Sequence, residues 1–111
     1  MLTYEIIESK LQDIKRLDDE LVCREIEEVI ANYHLTITQK TTLRTKKGSY
    51  HWHTKKEKQA GVLEITYWPQ KGRLWLEIAD NRLADWNHSL IEDAANCLAE
   101  RFAGKIERLK V

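Results

Sequence analysis

The sequence predicts an α+β fold of two layers. A four-stranded antiparallel meander is expected, with an N-terminal helix or helix pair and a C-terminal helix packed on one sheet face. Three observations carry this expectation. Apolar residues recur at helical spacing in the first third of the chain, the period drops to two between Leu35 and Ala79, and helical spacing returns after Asp85. With 111 residues, 42% apolar and 32% charged, the chain is expected to form one domain over 1–111 with its own core.

The first helical stretch covers residues 3–33. Ile7, Leu11 and Ile14 share one stripe, and Val22, Ile26, Val29 and Tyr33 share another. A straight helix through both would be about 45 Å long and would place Asp18 and Glu25 within the apolar stripe. Its overhang would suggest a dimer. A break near Leu17-Asp18-Asp19 removes most of the conflict and gives helices at roughly 3–16 and 19–32, with Asp18 or Asp19 as an N-cap.

Four runs rich in Thr, Ile, Trp and Tyr follow: Leu35–Thr45, Tyr50–Lys55, Val62–Trp68 and Arg73–Ile78. Short segments holding Gly48, Gly61, Pro69 and Gly72 separate them, so successive antiparallel hairpins are the economical connection. The last helix starts between Asp85 and Ser89, with Ser89 and Glu92 forming a capping box or Asp85 or Asn87 as the cap. Leu90, Ile91, Ala94, Ala95, Leu98 and Phe102 form its apolar side. Ile106 and Leu109 extend it, unless Gly104 ends it.

Closing each hairpin at its turn sets the register: Leu43 opposite Trp52, Trp52 opposite Ile65, Ile65 opposite Leu76. That row is the core face. The opposite face then carries Thr42, His53, Glu64 and Glu77 in one row and Arg44, His51, Thr66 and Trp75 in the next, with Trp68 and Arg73 completing it. A one-residue slip would reverse the faces, and the apolar pattern penalises it.

The functional reading follows from that uncovered face. Trp68 and Trp75 on a polar surface waste burial unless something covers them, and Trp, Arg and His suit contact surfaces. The expected role is therefore a small non-catalytic binding or self-association module using His51, His53, Trp68, Trp75, Arg44, Arg73 and Glu64, with a protein or a second copy as partner. The bland reading is that the two tryptophans pack on each other and on the stems of Arg44 and Arg73. The alternative function is a metal-binding protein or metal-dependent enzyme using His51, His53 and Glu64, a donor set that suits zinc or iron.

Charge adds a local signal to a chain of zero net charge. Nine acids face four bases between Glu5 and Glu28, whereas seven bases face Glu57 alone between Lys40 and Lys58. Lys40, Arg44, Lys46 and Lys47 could take the phosphates of a single strand whose bases stack on tryptophan. No strained nucleophile turn or Gly-rich phosphate loop is present, and no cofactor is expected. Glu64 opposite Glu77 would raise the pKa of one carboxyl group. Cys23 and Cys97 form no CxxC pair and read as small buried hydrophobes. No apolar run approaches the roughly 20 residues of a membrane span, and the N-terminus carries acid where a signal peptide needs base, so a cytoplasmic protein is expected.

Overall fold

A computed structural model describes residues 1–13 and 17–109. The fold is α+β, with six strands in one antiparallel sheet and two helices: β1 (Leu2–Ile7), α1 (Asp19–Asn32), β2 (Thr36–Thr41), β3 (Tyr50–Lys55), β4 (Leu63–Trp68), β5 (Arg73–Ile78), α2 (Asp85–Arg101) and β6 (Lys105–Leu109). The strand order is β2-β3-β4-β5-β1-β6. The expected four-strand meander is thus present, but the sheet is larger than expected by a strand from each end of the chain.

β1, with the turn after it, and β6 correct the helical reading of residues 3–13 and of 105–109; residues 14–16 of that expected helix lie outside the described residues. Leu2–Ile7 alternates, with Tyr4 and Ile6 in the core. It pairs with β5 through Tyr4↔Leu76 and Glu5↔Trp75, and with β6 through Glu5↔Glu107 and Ile6↔Ile106. A short run such as Thr-Tyr-Glu-Ile-Ile suits a pleated surface better than a helix, and backbone pairing on both sides decides the matter. Glu8, at φ 51°, ends the strand. A single 3-10 turn at Lys10–Gln12 follows, with Ser9 Oγ accepting from the Leu11 N–H. Of the anticipated stripe, Ile7 closes β1, Leu11 is buried in that turn, and Ile14 lies outside the described residues.

The helix expected at 19–32 is α1, and the Asp18 side chain caps it by accepting from the Glu20 N–H at 2.9 Å. Such a cap contributes about 1 kcal/mol. α2 begins at Asp85, which places Ser89 inside the helix rather than at its cap. Asn87 takes over the N-terminal bonding. Its Oδ1 accepts from the Ala84 N–H and its Nδ2 donates to the carbonyls of Val62 and Arg82, which ties the helix start to the approach to β4. The helix stops at Arg101 because Ala103 turns to φ 54° and Gly104 brings β6 hard against β1. A Cβ on Gly104 would lie 2.6 Å from Ser9 Cβ and 2.7 Å from the Ile7 carbonyl oxygen.

Register across β3, β4 and β5 is as expected: Trp52↔Ile65, Ile65↔Leu76, Glu64↔Glu77 and Trp68↔Arg73. Gly72, at φ 59°, makes the last of these turns. The β2–β3 register differs. Lys40, not Leu43, stands opposite Trp52, and Thr41 stands opposite His51. β2 stops at Thr41 because residues 42–49 form their own turns: Lys46 N–H donates to the Leu43 carbonyl, Ser49 N–H to the Lys46 carbonyl, and Leu43 N–H to Ser49 Oγ. Arg44 consequently lies in an exposed loop instead of on a strand.

The core face carries Trp52, Ile65, Leu76 and Tyr4 across four strands. Val22, Ile26, Val29 and Ile30 of α1 and Ile91, Ala94, Ala95 and Leu98 of α2 pack against it. Trp52 is fully buried, and its indole N–H donates to Glu27 Oε2 of α1 at 2.9 Å. Among the described residues, no helix is long and apolar enough to cross a membrane.

Candidate metal centre

Alternation along β3 sends Trp52 into the core and His51 and His53 to the outer face. On β4 the same rule sends Ile65 inward and Glu64 and Thr66 outward. Thr66 is the direct cross-strand partner of His51, and Glu64 that of His53. Glu64 is therefore diagonal to His51, a separation that long side chains bridge.

Both imidazoles turn toward the same carboxylate oxygen. His51 Nε2 lies 3.0 Å and His53 Nε2 lies 3.3 Å from Glu64 Oε1. The rings meet edge to face, with centroids 5.0 Å apart. The other nitrogen of His51, Nδ1, is 2.7 Å from Thr66 Oγ1, and Thr66 is completely buried. The hydroxyl of Thr66 can donate or accept, so it serves either tautomer of His51.

One potential ligand atom from each of the three residues lies within 4.8 Å of the other two. Donors about 2.0–2.1 Å from a tetrahedral zinc stand roughly 3.3 Å apart. The two His–Glu edges already have that length, and a small swing of the outer imidazole, His53, closes the third. Side-chain exposure is graded from 6% at His51 through 15% at Glu64 to 22% at His53, so a fourth position would face solvent.

Electrostatics favour the ligating forms. The hydrogen bond from His51, helped by the charge of both imidazoles, holds the Glu64 carboxyl below its usual range, against the effect of burial. This is opposite to the rise expected from Glu77 alone, because two imidazoles touch Glu64 and Glu77 does not. Burial pushes the His53 pKa down, with Arg82 and His51 acting in the same sense and Glu64 opposing. A neutral imidazole beside an ionised carboxylate is what a divalent cation requires.

The remaining candidates from the sequence occupy the same face in different states. Trp75 stands opposite Thr66 but is only 7% exposed. Its N–H donates to Glu77 Oε2 at 2.7 Å, and the Arg73 guanidinium and the Lys46 ammonium lie over its ring. The expectation that Trp75 and His51 are surface-exposed is corrected here. Among the described residues no helix covers this face, but the side chains of Arg73 from β5 and Lys46 from loop 42–49 lie over Trp75. Arg73 makes a bidentate pair with Glu5 at 2.8 and 2.9 Å. Trp68 is half-buried at the end of β4, and Arg44 is not part of the face. Lys40 is on the core side, 2.7 Å from Glu27.

Sequence reasoning missed the role of Thr66 and the presence of Glu5 on this face. The alternation Thr3-Glu5 against Tyr4-Ile6 was the available signal for the second. The cysteines play no part: Cys23 is buried, with its thiol pushed up to about 11 by desolvation, and Cys97 is half-buried and free. The chain matches no known protein-family model and no curated protein.

Proposed function

We propose that this protein binds a divalent transition metal, zinc being the best fit to the donor set, through His51, His53 and Glu64. The observation that carries the reading is the convergence of two imidazole Nε2 atoms on one carboxylate oxygen, with the inner ring oriented from behind by Thr66. Two histidines and a carboxylate are a common zinc or iron set, and a ligating histidine usually donates its other ring N–H to an oxygen acceptor, a place the Thr66 hydroxyl can fill. In the metal-free state the Nε2–H groups donate to Glu64. Ligation through Nε2 would move the ring proton of each neutral imidazole to Nδ1, and His51 Nδ1–H would then donate to Thr66 Oγ1, which donates to that nitrogen in the metal-free state.

The experiment is a zinc titration of tag-free protein by calorimetry, with thermal unfolding in parallel. At a free zinc concentration 100 times Kd, linkage adds about 2.7 kcal/mol of stability, a rise of roughly 10 °C for a chain of this size. His53→Ala, at the most exposed ligand, should remove both the heat and the shift without unfolding the protein. An unchanged midpoint in millimolar zinc would end the proposal.

The contact-surface reading keeps support at one part of the face only. Trp75 and His51 are already buried within the chain, whereas Trp68 and the lysines around it remain accessible.

A further inference from the structure

Two loops meet at one end of the sheet, where β3 starts and β4 ends. Loop 42–49 reaches back to β4, and the Trp68 indole N–H donates to the Lys47 carbonyl at 3.1 Å. Gly48 lies against Gln70 of the β4–β5 turn. The loop is held by its own turns and by buried Ser49, so Lys46 and Lys47 are presented by ordered backbone. Lys46 Nζ stands 5.9 Å from the ring centroids of both Trp68 and Trp75, and Lys71 Nζ stands 5.9 Å from Trp68.

Lys46, Lys47 and Lys71 surround Trp68, Arg44 lies on the same loop as the first two, and among the described residues none of the four has a carboxylate within ion-pair distance. Other cations of the protein are neutralised: Arg73 by Glu5, Lys40 by Glu27, Arg101 by Glu25 and Glu28. In a chain with zero net charge, the two loops of this tip keep four positive charges, three of them on residues beside one half-buried indole.

We infer that this tip is a binding site for single-stranded nucleic acid, independent of the metal centre. The four cations take successive phosphates, and Trp68 stacks an unpaired base. Lysine and arginine binding to phosphate explains the charge alone, but only a ligand with exposed aromatic faces also uses the ring. A duplex keeps its bases stacked inside and has none to give. Lys46 and Lys71 lie over the ring in the free protein, and their flexible stems let the ammoniums turn to phosphate as a base arrives. Lys40, which the sequence grouped with these residues, is excluded by its pairing with Glu27 on the other face.

The test is fluorescence anisotropy of a labelled ten-residue oligothymidylate, with tryptophan quenching, in a metal chelator that silences the zinc site. With three or four phosphate contacts, affinity should fall about 20- to 50-fold between roughly 50 and 200 mM salt. Lys47→Ala and Lys71→Ala should each reduce the logarithmic salt slope by about 0.7. Trp68→Leu should abolish most of the quenching and weaken binding about tenfold. Should that variant not fold, the two lysine variants, both at exposed side chains, decide the matter. Absence of binding near 100 μM, affinity unaffected by the lysine changes, or equal competition by a duplex of the same length would overturn the inference.

Discussion

Replacing Trp75 by alanine separates the two views of the outer sheet face. On a contact surface this ring would be expendable for folding. In the structure it is 7% exposed although no helix packs over it. A buried aromatic removes about 150–250 Å² from water, worth about 4–6 kcal/mol at 25 cal/mol per Å² for the larger rings. Compactness of the unfolded chain and the methyl group that remains reduce this to about 3–4 kcal/mol. The hydrogen bond to Glu77 and the cation contacts with Arg73 and Lys46 are lost with it. Urea unfolding should therefore show a loss of about 3 kcal/mol or more, and the thermal midpoint should fall by about 10 °C or more. Trp75→Phe, which keeps the ring and loses the N–H, should cost about 1–2 kcal/mol. Wild-type stability in Trp75→Ala would show that the ring is not packed within the protein and would refute the burial argument.

The other expectations concern the metal centre and one backbone contact. Stability of the metal-free protein should fall on acidification in two stages. A depressed His53 pKa means that the unfolded chain binds more protons below about pH 6.5, and a depressed Glu64 pKa adds the same sign below about 4.5, so both groups stabilise the fold at higher pH and lose that contribution as pH drops through their folded values. Chemical denaturation between about pH 2 and 8 checks this, and His53→Gln should flatten the upper stage. Thr66→Val preserves volume but leaves His51 Nδ1 without its partner, so zinc affinity should drop about 10- to 100-fold while the protein stays folded. Gly104→Ala should destabilise by about 1–3 kcal/mol, read by urea unfolding, because the added methyl meets Ser9 and the Ile7 carbonyl.

The parts of the fold that were legible in the sequence are those whose determinants lie close together. β3, β4 and β5 alternate cleanly and are joined by short turns, so their register followed from Trp68-Pro69 to Gly72-Arg73 and from Trp52 opposite Ile65. β1 and β6 are strands because β1 pairs with both β5 and β6 across most of the chain length. Nothing local distinguishes Ile7 and Leu11 from a helical stripe, or Ile106 and Leu109 from the end of α2. The β2–β3 register failed for a different reason. Closing the hairpin tightly around Gly48 puts Leu43 opposite Trp52, whereas Ser49 ties off a longer loop at Leu43 and removes Arg44 from the sheet.

The same distinction explains the site. Alternation is enough to place His51, His53 and Glu64 on one face, because β3 and β4 are neighbours in sequence. Their convergence on Glu64 Oε1 needed the twist of the strand pair and the diagonal geometry, which alternation does not specify. The burial of Trp75 depended on Lys46 and Arg73 folding over its ring, and the partner that holds Arg73 is Glu5 from the strand read as helix.

The central claim is most directly tested by long-range proton–nitrogen NMR of the histidine rings during a zinc titration. The protein carries its own controls in His34 and His88, both exposed and outside the cluster. At one equivalent of zinc, the Nε2 resonances of His51 and His53 should move to metal-bound positions. His51 should then carry its proton on Nδ1, facing Thr66, with His34 and His88 unchanged. Ring nitrogens of His51 and His53 that do not respond, or that respond no more than those of His34 and His88, would contradict the claim.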